Sequence, residues 1–249
     1  SSSSPAGRVD RMGVCSSKPK EGAADRVWGA MPQSKVDASM NKAIATKMDR
    51  IPPLDRARVW SAEEIAALSS SEQPWGEVTD DPRGVRFSYP TTWDLIGPVA
   101  VSKARYERLV RTAHVLNEQH ARCTAEMSVG LVYFNGSKPT EPISIQNFDK
   151  MTAQISDSAS RLPGGALLTH ETLPAGVFKS STHHVVHNVS QFAQPDATTT
   201  RVEQWMMLSK DRTTMCTITL FNSDLSAHET YGEMQRRYLE SVQLPEGKF

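Results

Sequence analysis

The chain of 249 residues is 38% hydrophobic and balances 28 Lys+Arg against 28 Asp+Glu, which suits one ordinary core with appendages better than two full domains. Equal charge leaves no net field to draw it toward nucleic acid or anionic lipid. No apolar run nears the roughly 18 residues needed to cross a bilayer, so no membrane span is expected and only peripheral contact stays open.

Residues 1–24 are Ser, Gly, Pro, Lys and Arg-rich, a composition that buries too little apolar surface to offset ordering entropy. The Ser/Arg-rich opening SSSSPAGRVDRMG resembles the remnant of an organellar presequence or the first mature residues after one. Large apolar residues then stand singly among polar ones: Trp28, Met31, Met40, Met48, Ile51, Leu54, Trp60 and Trp75. Either they pack back on the chain's own domain, or they anchor in pockets of partners, since a buried indole removes much apolar area at modest entropic cost. Trp28, Met31, Trp60, Ile65 and Trp75 form the expected partner-binding set. In RVWSAEEIAALSS, Ser61 and Glu64 make a capping box and Trp60 with Ile65 a hydrophobic staple, predicting a helix over 62–68. The preceding IPPLDR favours extended backbone. Residues 1–80 thus read as an extended N-terminal arm carrying one short helix, closed by the turn DDPRG.

The folded part is expected over 84–249. Val85, Phe87 and Tyr89 alternate with Arg86 and Ser88, predicting a strand stopped by Pro90 and covered by Trp93. Tyr106, Leu109, Val110, Ala113 and Leu116 recur at helical spacing, predicting a helix from Ser102 to about His120. MSVGLVYF (127–134) reads as a strand and NGSKPTEP as a loop. Asn147 is the expected cap of a helix whose Phe148, Met151, Ile155 and Leu162 share a face, ended by LPGG. Three strands follow, about 176–191 and interrupted or bent near its middle, 202–208 and 213–221, the last two joined by SKDR as a hairpin turn. Ser226 and Glu229 open a final helix with Tyr231, Met234, Tyr238 and Val242 along one stripe. Hairpin strands with helices added predict an α+β fold, an antiparallel sheet covered by helices.

FSYPTTWD near the domain start, the strand pair RVEQWMMLSKDRTTMCTITLF and the closing YLESVQL together resemble the Mog1/PsbP-like superfamily, which includes PsbP extrinsic proteins and DcrB-type domains. The likeness covers about 84–244 and rests on apolar patterns. It implies a Mog1/PsbP-like sandwich that works in binding and assembly, without a shared catalytic centre.

Catalytic grammar is otherwise sparse: the chain carries no Walker loop, GxGxxG, GxSxG or HExxH. In STHHVVH, strand geometry sends His183 and His187 to one face, about 13 Å apart, and His184 to the other, so a shared metal is not expected. Arg201, Glu203 and Trp205 share a face, read as an exposed sheet surface ahead of an interaction patch. Cys15, Cys123 and Cys216 show no CxxC pairing, and neither disulfides nor zinc are expected; Cys123 and Cys216 suit small core positions. KARYERLVR places Lys103, Arg105, Arg108 and Arg111 around Tyr106, a solvated helix face by default and a phosphate contact in the alternative.

The expectation is therefore a non-catalytic accessory subunit of a large organellar complex, mitochondrial ahead of plastid. It has no cofactor, and its partners are other protein subunits. RNA contact as part of an organellar ribosome is an alternative. So is a lumenal role like that of PsbP, stabilising photosystem II, while an enzyme using the His183/His184/His187 face is the reading from another class.

Overall fold

A computed structural model describes residues 63, 67, 70, 72–79, 81, 83–102, 105–111, 125–134, 142–174, 176, 184–193, 198–223 and 225–249. Most of the expected arm lies outside them. Glu63 and Ala67, the described residues of the expected helix at 62–68, are helical and exposed.

Two short strands, β1 (Trp75–Val78) and β2 (Phe87–Pro90), pair antiparallel. β2 is the strand expected from FSYP, with Val85 and Phe87 buried below it and Trp93 closing its end. β1 falls within the stretch read as arm, yet it is paired into the domain.

Seven further strands form one antiparallel sheet: β3 (Asp94–Ser102), β4 (Arg105–Arg111), β5 (Ala125–Tyr133), β6 (Ala166–Leu173), β7 (Val185–Ala193), β8 (Thr199–Leu208) and β9 (Thr214–Asn222). They lie in the order β3-β4-β5-β9-β8-β7-β6. The helix expected from Ser102 is corrected here, since 94–111 is the β3–β4 hairpin with bulges after Ile96 and Ala100. Tyr106 and Val110 stand four apart, a spacing that fits a period of two as well as a helical one, and pairing of β4 with β5 decides between them. Residues 112–120 lie outside the described set. Of the strand expected over 176–191, interrupted or bent near its middle, the structure describes β7 from Val185 onward while 177–183 lie outside the described residues; β6, which was not expected, precedes it.

Helix α1 (Ile145–Ser160) packs on β6 and β7, and helix α2 (Leu225–Ser241) crosses β2, β5, β9 and β8. The cap of α1 is Ser144, whose Oγ accepts the Asn147 N–H at 3.2 Å, so Asn147 is the third helical residue rather than the cap. LPGG ends α1 as expected. Gly164 has φ +60°, and a Cβ on Gly165 would stand 2.5 Å from the Ala159 carbonyl oxygen.

The α2 face of the sheet buries Met127, Val129, Leu131, Cys216 and Ile218 under Tyr231, Met234 and Tyr238, the expected stripe. On the other face Phe148 and Met151 of α1 meet Val186, Met206 and Met215. The start and end of the domain are bound together by reciprocal backbone bonds between Arg86 and Gln243 at 2.9 and 2.8 Å, and by Phe87 edge-on to Tyr238 at 5.2 Å. The architecture is the expected α+β antiparallel sheet covered by helices.

Candidate functional site

Strand alternation along β7 sends Val185, His187 and Val189 to the α2 face and Val186, Asn188 and Ser190 to the α1 face. Register then places Glu171 of β6 on one side of His187 and Trp205 of β8 on the other. The imidazole lies flat on the indole, centroids 4.8 Å apart and planes 16° apart. Its Nδ1 lies 3.1 Å from Glu171 Oε1 and its Nε2 2.9 Å from Glu203 Oε1.

Both carboxylates accept only, so satisfying both needs a ring with two N–H groups, the imidazolium. The Glu203 hydrogen bond is the main reason His187 is held above its usual value of 6.5; burial opposes it, and the Glu171 bond and both carboxylate charges add to the rise. A cation stacked on an indole face gains further from the ring quadrupole. The side chains differ in exposure: His187 is 15% exposed, Glu203 22% and Glu171 53%.

On the opposite face two more histidines are engaged with side chains of the fold. His184 Nε2 pairs with Asp149 Oδ1 of α1, and its ring meets Phe148 edge-on. His170 of β6 donates from Nδ1 to Asn188 Oδ1 at 2.6 Å, with Ser156 Oγ of α1 at 3.2 Å. The structure thus brings Glu171, His187, Glu203 and Trp205 into one cluster and His184 with Asp149 into another; His183 lies outside the described residues. Among the described residues no group of three or more His, Cys, Asp or Glu is arranged to hold a metal ion, and no helix is long and apolar enough to cross a membrane.

The expected exposed face of Arg201, Glu203 and Trp205 is corrected at Trp205, which is buried beneath His187. Trp75, one of the expected partner anchors, instead packs against the domain's own core, with the Arg237 guanidinium 4.2 Å from its ring centroid. Trp28, Met31, Trp60 and Ile65 lie outside the described residues, as do Lys103, His114, His120, Cys15 and Cys123. The expected basic stripe lies on strand β4 rather than on a helix. Arg108 is turned to Asp81, its Nε 3.0 Å from Oδ2 of that buried carboxylate, so its charge is engaged within the fold. Cys216 is buried as expected of a core residue, and burial pushes its thiol well above the usual range.

Glu171, Asp149 and His170 were not singled out by sequence reasoning. Glu171 falls opposite His187 only once ALLTHETL is placed as a strand, and that segment lacks an apolar alternation because its side chains are largely exposed.

No protein-family model matches the chain, and no curated protein matches it. Solved structures to which it is similar include cyanobacterial PsbP (CyanoP) from Synechocystis sp. PCC 6803, at 11% identity over 68% of this chain and 92% of that one, with a TM-score of 0.45. The Ran-binding protein Mog1p of Saccharomyces cerevisiae is similar at 7% identity over 70% and 97%, TM-score 0.43. LpqN of Mycobacterium tuberculosis, involved in cell envelope biogenesis, is similar at 10% identity over 75% and 98%, TM-score 0.43. Members of the group implied by the apolar patterns at 84–244 are thus among its structural neighbours. At these scores the likeness carries no functional argument.

Proposed function

We propose that this chain is a non-catalytic accessory subunit of a multiprotein assembly, docking through its domain surface and through residues 1–80. The observation that carries this reading is the engagement of His187 with carboxylates on both ring nitrogens. A general base needs a free lone pair aimed at a substrate proton; an imidazolium donating twice has none. His184 and His170 are likewise bonded to side chains of their own fold, and the thiol of Cys216 is sealed in the core.

The domain surface offers a place to dock. Leu167 and Leu168 are 38% and 47% exposed on β6, which pairs only with β7 among the described residues. Trp28 and Trp60 supply anchors of the kind that dominate binding energy when buried in a partner's pocket. An organellar setting, mitochondrial ahead of plastid, belongs to the proposal.

The test is native-gradient sedimentation of extracts from cells expressing the tagged chain, with and without residues 1–70. The intact chain is expected in a fraction far heavier than its 27.5 kDa. The shortened chain is expected to fold, by an unchanged thermal transition, yet to leave that fraction. Unchanged incorporation would end the docking role of the arm. Sedimentation of the intact chain as a free monomer would end the subunit reading. Recovery in isolated mitochondria is expected, and recovery in a thylakoid fraction would move the setting to the plastid.

A further inference from the structure

β6 is the last strand of the seven-stranded sheet, and among the described residues it is held by its ladder to β7, its packing under α1 and two side-chain ties. One tie, His170 to Asn188 and Ser156, uses an imidazole Nδ1–H that is present whether the ring is neutral or charged. The other runs Glu171–His187–Glu203 and spans β6, β7 and β8 through a single ring. That second tie works only with two ring protons.

A neutral imidazole carries one N–H and one lone pair, so it can satisfy one carboxylate while its lone pair faces the other. Which contact survives follows from exposure and distance. Glu203 lies closer, at 2.9 Å, is 22% exposed and sits on an inner strand, whereas Glu171 is 53% exposed and can turn to water at little cost. We propose that His187 is a proton-operated latch on the edge strand: protonated, it ties Glu171 of β6 through itself to Glu203 of β8, and on losing its proton it keeps Glu203 and releases Glu171, loosening β6 while the inner strands stay in place.

Among the described residues the charged groups in contact with the ring are Glu171 from β6 and Glu203 from β8. Arg201 lies on the same face of β8, two residues from Glu203. Asp149 of α1 and the rings of His184 and His170 are on the opposite face of the sheet. No step depends on a partner, so the latch stands or falls separately from the accessory-subunit reading. Because the folded-state value is raised, the tie is complete below pH 6.5 and opens as pH rises through that raised value.

The experiment is amide hydrogen exchange of the full chain between pH 6 and 9, corrected for intrinsic exchange, with NMR titration of the His187 ring. The expected result is a ring titrating above 6.5 and a fall of about two- to five-fold in protection of β6 amides across that titration, the size of one exposed ion pair. Protection in β5, β8 and β9 is expected to stay flat. Glu171→Gln is expected to remove the β6 step while leaving the ring titration still raised through Glu203; as an exposed change, it leaves folding intact. His187→Gln is expected to abolish both. A ring titrating at or below 6.5, a β6 protection independent of pH, or a β6 step that persists in Glu171→Gln would each overturn the latch.

Discussion

Tyr238 carries its ring into the middle of the α2 face and its hydroxyl with it, fully buried and without a hydrogen-bond partner among the described residues. Burial drives its ionisation well above the usual range. Its partner is missing among the described residues, and a buried hydroxyl so placed loses its hydration and gains nothing in return. Tyr238→Phe is therefore expected to be neutral or to stabilise by up to about 1 kcal/mol, read as a shift in the urea midpoint; a loss of more than that would mean that the hydroxyl has a partner. Phe148 is the contrasting case, a fully buried ring where α1 meets β7. Phe148→Ala is expected to cost about 3–5 kcal/mol, and a cost below 1 kcal/mol would show that the α1 face can collapse around the gap. Residues of this kind were legible in advance: Phe148, Met151, Tyr231, Met234 and Tyr238 announced their burial by helical spacing. His187 did not, because its partners come from two other strands and adjacency in sequence says nothing about them.

At the scale of the element, the β8–β9 hairpin shows how much a turn depends on its side chains. Ser209 Oγ donates to Asp211 Oδ1 at 2.6 Å and accepts the Thr214 N–H at 3.0 Å, while Asp211 Oδ1 also accepts the Thr213 N–H at 3.0 Å. Arg212 takes φ +57°, a region that suits glycine. Arg212→Gly is expected to raise stability by up to about 1 kcal/mol, the relief of left-handed strain being reduced by the greater freedom of glycine in the unfolded chain. A drop in melting temperature would contradict this. The hairpin, β5, α1 and α2 were all readable from sequence since each carries its own signal, whether turn residues, a caps-and-stripe pattern or an apolar run. β4 was not, since RYERLVR fits either period and only its neighbours choose. β6 was missed for the opposite reason: an edge strand with exposed side chains has no inward face to mark.

For the whole molecule, two titrating groups act in opposite directions. Burial opposes ionisation of Asp211, but hydrogen bonds from Ser209 and Thr213 and the charge of Lys248 hold it below its usual value of 3.8. Its contribution is present above pH 3.8 and is lost as pH falls through the lowered value. The His187 contribution is present below 6.5 and is lost as pH rises through the raised one. Both are complete between those limits, so denaturant stability is expected to be highest there; Asp211→Ala should flatten the acid limb and His187→Gln the alkaline one. A maximum above pH 8 would contradict the pair. The sequence by itself determined the class of the domain, its closing helix, its central strands and the polar character of residues 1–24, because composition, spacing and turn chemistry act over short distances along the chain. Only the tertiary structure decided that 94–111 is a hairpin, that ALLTHETL is the sheet's edge, that Trp75 belongs to the domain and that His187 joins Glu171 to Glu203. Each of those depends on which strands lie side by side, and strand pairing is a contact between residues far apart in sequence whose partners no local pattern names.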